Sequence, residues 1–318
     1  MQAVVLEGHV VGVAERPEPE PAPGMAIVRV GLAGVCNTDL EIARGYMGFR
    51  GILGHELVGV VEEGPSEWTG RRVVSEINFA CGRCARCQQG LGRHCPTRRV
   101  MGILEADGAF AERVAVPVAN LHAVPDAVRS EDAVFTEPLA AAFEILEQLR
   151  IEPGQRTLVL GDGKLGLLIA QVLQGAGASV RAVGRHREKL DVLARLGIET
   201  CLQRDYAPAK DMDVCVEASG SVEGFATALA ATRPRGTIVL KSTVAGQHEL
   251  DLAPLVIDEI QLVGSRCGPF EPALAALAAG SIDVAPLVSD RLPLRQGDEA
   301  LRRAGQPGVL KVLMECEA

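Results

Sequence analysis

The chain has 318 residues, 47% hydrophobic and 23% charged, a balance that excludes a disordered segment and points to about two globular domains. Its net charge of -9 argues against broad capture of nucleic acid or of an anionic membrane surface. There is no apolar run near the roughly 18 residues of a membrane span and no secretory leader pattern, and nine cysteines, an odd number, suit reduced thiols and metal ligation, so a cytoplasmic location is expected.

The first 130 residues read as mostly β. AVVLEGHVVGV, MAIVRVGLAGV, LVGVVEEG, RRVVSEI and FAERVAVPV are continuous or alternating apolar runs, divided by Gly and Pro breakers such as PEPEPAPG. Two segments in this region carry metal-type ligands. GVCNTDLEIARGYMGFRGILGHELVGVV supplies Cys36, His55 and Glu56, the sulfur, imidazole and carboxylate mix of a zinc site that stays open to substrate. Spacing alone leaves open whether these three are ligands or ordinary structural residues. Within the same segment, Tyr46 and Phe49 are candidates for a pocket wall or lid, and Arg50 could meet an anionic substrate group. Further on, Cys81, Cys84, Cys87 and Cys95 follow the spacing C-x2-C-x2-C-x7-C. Four thiolates close a tetrahedral zinc shell with no vacancy, which suits a structural site; an iron–sulfur cluster has no other support in the chain.

At Ser130 the period changes. SEDAVFTEPLAAAFEILEQLRI opens with a capping-type Ser and acidic residues and then runs apolar at helical spacing, which predicts a helix. Beyond it, TLVL, SVRAV, DVCVEA, TIVLK and IQLVG alternate with KLGLLIAQVLQ, REKLDVLARL and EGFATALAATR, the βαβ rhythm of a doubly wound parallel sheet. TLVLGDGKLGLLIAQVL places Gly161, Gly163 and Gly166 after a strand and at the mouth of a helix, with Asp162, Lys164 and Leu165 filling the loop; this is the context of a dinucleotide pyrophosphate site. An NAD site usually has an acid about 20 residues later, on the ribose 2′-hydroxyl. Gly184 stands there, followed by Arg185, His186 and Arg187, so a 2′-phosphate would meet open space and positive charge, and NADP(H) is favoured over NAD(H). From Cys267 the chain returns to mixed helix and strand and is expected to rejoin the first region.

In this order, GVCNTDLE, GHELVGVV, the four-cysteine lobe, TEPLA and GDGKLG resemble the zinc-dependent medium-chain alcohol dehydrogenase family, in its polyol, threonine and glucose dehydrogenase branch, over essentially the whole chain. The resemblance implies an α/β protein: a GroES-like β-rich catalytic domain over 1–136 and 267–318 with two zinc sites, and a Rossmann doubly wound domain over 137–266 that binds NAD(P). It implies Cys36 and His55 as catalytic zinc ligands, Glu56 as a ligand or an exchangeable neighbour, Glu137 of TEPLA close to that metal, and Thr38 as the hydroxyl that takes the substrate proton. Lys311 of GVLKVLM is implied near the cofactor pyrophosphate, while Glu41 replaces a frequent relay histidine and leaves the proton exit route open. The implied activity is reversible hydride transfer between an alcohol, polyol-like or sugar-like, and NAD(P). The alternatives are a zinc-binding NADP(H)-dependent carbonyl or quinone reductase and a non-catalytic NADP(H)-binding protein. The implied partners are a small alcohol or carbonyl substrate and further copies of the chain, as a homodimer or homotetramer.

Overall fold

The change of period near residue 130 marks a change of architecture. The structure, a computed structural model, describes residues 1–8, 10–242 and 251–316 and divides into two units, residues 1–137 with 270–318, and residues 138–269.

The first unit is built mainly on antiparallel strands. Its largest sheet runs in the order Leu121–Ala123, Arg72–Ser75, Glu56–Glu63, Met25–Gly34, Lys311–Glu315 and Val288–Pro293, with Arg113–Pro117 also pairing with Met25–Gly34. Met25–Gly34 lies between the strand that begins with Glu56 and the strand that begins with Lys311, and Gly34 pairs across to both Glu56 and Leu313. Its Ala26, Ile27, Val28 and Val30 are all buried, as expected of a strand covered on both faces. The run AVVLEGHVVGV folds as a hairpin of Gln2–Glu7 on Val10–Glu15, with His9 outside the described residues. Short strands at Asn78–Phe79, Arg99–Met101 and Glu105–Ala106 frame the cysteine lobe.

In the second unit six parallel strands lie in the order Glu199–Leu202, Ser179–Gly184, Arg156–Leu160, Met212–Glu217, Thr232–Leu240 and Gln261–Gly264. The order reverses between Arg156–Leu160 and Met212–Glu217, and dinucleotides bind outside the carboxyl ends of strands at such a switch point. Leu158, Leu160, Cys215 and Ile238 from the strands pack with Phe225 and Ala228 of the helix Val222–Ala231.

The helix predicted from Ser130 is broken in two, Ser130–Ala133 and Thr136–Gln148. Ser130 is not its cap. Its hydroxyl instead accepts a hydrogen bond from Arg72 at 3.3 Å, and the same guanidinium donates to the carbonyls of Pro125 and Val128 at 3.0 and 2.6 Å. A long-range partner for the hydroxyl displaced the local one.

Candidate functional site

Cys36 lies two residues beyond strand Met25–Gly34 and caps helix Asn37–Ala43, so a strand end and a helix start fix its position. His55 and Glu56 stand at the start of strand Glu56–Glu63, and one ligand atom from each of the three lies within 4.8 Å of the other two. A fourth residue organises them. Asp39 is fully buried; its Oδ2 accepts from the Cys36 backbone N–H at 2.8 Å and its Oδ1 faces His55 Nδ1 at 3.1 Å. With Nδ1 donating to Asp39, the imidazole lone pair stands on Nε2, the arrangement a metal-ligating histidine adopts. Burial opposes protonation of His55, but Asp39 and then Cys36 outweigh it and hold the pKa well above 6.5. The pocket therefore favours a cation at the imidazole, either a proton or a metal on Nε2.

Glu56 is fully buried and splits its two oxygens. Oε2 pairs with Lys311, while Oε1 is buried without a hydrogen-bond partner. An orphaned buried carboxylate oxygen is costly unless something cationic takes it. Gly34 makes the room, because a Cβ there would strike Glu56 Oε2. The donor set, its spacing and the orphaned oxygen all fit zinc. Thr38 Oγ1 lies 3.7 Å from Cys36 Sγ, beside the same cluster.

One expectation is corrected here. Lys311 is not on a surface open to a pyrophosphate: it is fully buried, its ammonium held by Glu56, by the Val35 carbonyl at 3.4 Å and over the Phe135 ring at 5.4 Å. The buried Glu56 charge needs a counter-charge, and Lys311 supplies it. Glu137, the second residue of helix Thr136–Gln148, is not part of the Cys36, His55, Glu56 cluster. Of the two loop aromatics, Phe49 is buried and Tyr46 exposed, and Glu41 pairs with Arg44 at 2.6 Å.

In the lobe, Cys84 Sγ lies 3.5 Å from Cys87 and 3.9 Å from Cys95, and Cys81 Sγ lies 4.0 Å from Cys87. A tetrahedron with zinc–sulfur bonds of about 2.3 Å has edges of about 3.8 Å, so the four sulfurs fit zinc and close its shell. The Cys81 backbone N–H and the Thr97 hydroxyl pull the Cys95 thiol down to about 6, while burial and the Cys84 sulfur push Cys87 up to about 12. Cys95 is thus a ready thiolate donor.

The glycine-rich loop joins strand Arg156–Leu160 to helix Lys164–Gly175. Gly161 has a φ of +119° and packs so closely on Ala218 that a Cβ would come within 2.5 Å of its carbonyl oxygen. A Cβ on Gly166 would strike the Gly161 carbonyl, whereas around Gly163 nothing lies within 4 Å. The three glycines thus give a tight turn, close helix packing and an open approach to the helix N-terminus. Lys164 is buried and Leu165 half-buried. Arg185 and Arg187 are exposed after Gly184, as a phosphate contact would require. The open space expected beside Gly184 is absent, because the Asp162 carboxylate fills it.

Comparison with known proteins covers both units. The alcohol dehydrogenase GroES-like domain matches residues 22–126, and the zinc-binding dehydrogenase domain matches residues 165–279. A 2-dehydro-3-deoxy-L-galactonate 5-dehydrogenase of Pseudoalteromonas atlantica is 30% identical, over 99% of this chain and 96% of its own. The chain belongs to the zinc-binding medium-chain dehydrogenase family. A sorbitol dehydrogenase of Halalkalibacterium halodurans is 29% identical over 99% of both chains. A solved structure described as a zinc-binding dehydrogenase of Sinorhizobium meliloti bound to NADP superposes with a TM-score of 0.90 at 27% identity, covering 99% of this chain and 98% of that one. Among the described residues of this dehydrogenase, no helix is long and apolar enough to cross a membrane.

Asp39 is the residue that sequence reasoning missed in this dehydrogenase. The signal was present: an acid three residues after the cysteine that caps a helix is capping-box spacing. Only the fold shows that the same carboxylate also reaches His55, sixteen residues on.

Proposed function

We propose that this dehydrogenase catalyses zinc-dependent, reversible hydride transfer between an alcohol carbon of a polyol-like or sugar-like substrate and a nicotinamide cofactor, with NADP(H) favoured. The observation that carries the reading is the Asp39 carboxylate, which ties Cys36 and His55 together beside the unpartnered Glu56 Oε1. Zinc bound there supplies Lewis-acid polarisation of the substrate oxygen, and the nicotinamide supplies the hydride acceptor. Cys36, His55 and Glu56 hold the metal, and Asp39 fixes the imidazole so that Nε2 keeps its lone pair for it. Thr38 accepts the hydrogen bond of the reacting hydroxyl and passes its own proton outward. Lys311 supplies the counter-charge beside Glu56 inside the fold. The cysteine lobe holds a second, structural zinc.

Arg185 and Arg187 support NADP(H), as does the NADP in the Sinorhizobium structure. The names of the sorbitol and sugar-acid relatives support the substrate class. Nine free cysteines suit a reducing cytoplasm, and the family resemblance points to a homodimer or homotetramer.

The test is a panel of polyols, aldonates and simple alcohols with NADP+ and NAD+, followed by the absorbance of reduced nicotinamide. Turnover should favour polyols, stop on zinc chelation and return with added zinc. Turnover that is indifferent to chelation, or a zinc-loaded protein inert towards the whole panel, would overturn the reading.

A further inference from the structure

The end of strand Ser179–Gly184 carries no acid of its own, yet a carboxylate sits there. Asp162, from the glycine-rich loop, lies against Gly184 so closely that a Cβ on that glycine would be 2.6 Å from Asp162 Oδ2 and closer still to its Cβ. Gly184 has no left-handed φ, so its backbone does not demand glycine. What demands it is the Asp162 side chain. The carboxylate is held in place from the far side: Oδ2 accepts the His186 backbone N–H at 2.6 Å and faces His186 Nδ1 at 3.0 Å. Both of these contacts fall on Oδ2, which leaves Oδ1 for a further donor. Arg185 and Arg187 flank the same turn and are exposed.

In this fold the residue at the end of the second strand faces the adenosine ribose, where a carboxylate accepts the 2′-hydroxyl and a guanidinium meets a 2′-phosphate. We infer that Asp162 is the residue that retains NAD(H) as a cofactor: a carboxylate delivered by the glycine-rich loop into the space left by Gly184, accepting the ribose hydroxyl and opposing the pull of Arg185 and Arg187 towards a 2′-phosphate. This rests on the reading of the loop as a dinucleotide site. The consequence is a protein that binds both cofactors, with a weaker NADP(H) preference than its arginines alone would give.

Two variants test this by different routes. Asp162→Asn is nearly isosteric and can still accept the His186 N–H, so the turn keeps its shape while the charge is lost and an amide donor appears. Gly184→Ala keeps the charge but evicts the carboxylate. Isothermal titration of NAD+ and NADP+ into the wild type and both variants gives the ratio of the two dissociation constants without requiring turnover. In Asp162→Asn that ratio should move towards NADP+ by about tenfold, the size of a lost hydrogen bond to a charged group, and in Gly184→Ala it should move the same way. Equal weakening of both cofactors, or an unchanged ratio in Asp162→Asn, would overturn the assignment and leave Asp162 a brace for the turn. A wild type that binds neither cofactor would instead overturn the dinucleotide reading itself.

Discussion

The two metal-ligand clusters of the first unit are made of overlapping chemistry and arranged for opposite ends. The lobe gathers four thiols within fifteen residues, Cys81 to Cys95, and its sulfurs stand at the edge lengths of a closed tetrahedron. The other cluster draws Cys36 from one strand end and His55 and Glu56 from the next, and it is steadied by two charged residues, Asp39 and Lys311. A closed shell needs no support beyond its own loop and offers substrate no vacancy. A three-ligand shell can admit substrate, but its ligands must be aimed by neighbours, because the metal alone does not fix them. Cysteine density is therefore a guide to where the fold is pinned, and buried acid–base support is a guide to where it reacts.

This contrast can be broken by experiment, and the largest effect is expected at Cys36. Cys36→Ala should lower kcat/KM by about a thousandfold or more while circular dichroism stays native and one zinc per chain is lost, since Lewis-acid stabilisation of the reacting oxygen goes with it. Normal turnover with one zinc fewer would place the chemistry elsewhere. Asp39→Ala should come next. Losing the partner of His55 Nδ1 and of the Cys36 backbone should cost 10- to 100-fold, roughly, in zinc affinity, measured by competition with a chelator, with a parallel loss of activity. Lys311→Met should act chiefly on the fold: it leaves the buried Glu56 charge without its partner, and chemical denaturation should show a loss of about 3–5 kcal/mol. A stability unchanged by this substitution would mean that the Lys311–Glu56 pair does not hold the fold. Cys95→Ala should have the smallest effect on turnover. Its melting temperature should fall by about 5 °C or more, while kcat per folded molecule stays near that of the wild type.

Much of this architecture was legible in the sequence because it rests on local pattern. The βαβ alternation after residue 150 became the six parallel strands, and Gly161, Gly163 and Gly166 stand where a turn, an open approach and a close packing contact need them. The spacing of the four lobe cysteines also foretold their convergence, since a short loop leaves them few other arrangements. What the sequence hid was long-range. Nothing near Lys311 announces Glu56, 255 residues away, and Lys311 was expected at a phosphate only because the family resemblance implied it. Ser130 looked like a cap until Arg72 claimed its hydroxyl. Gly184 suggested an empty space, and only the coordinates of Asp162, 22 positions earlier in the chain, show that it is filled. In each case a side chain found a better partner across the fold than the local pattern offered.

The central claim is that the sparse cluster reacts and the dense one holds. It is tested most directly by stepwise removal of metal, with bound zinc, turnover and melting temperature read on the same samples during slow chelation. The three-ligand site should release its zinc first, taking essentially all turnover with it while the melting temperature changes little, and the second zinc should leave later with a clear loss of stability. Turnover that survives the first release and disappears with the second would contradict the account.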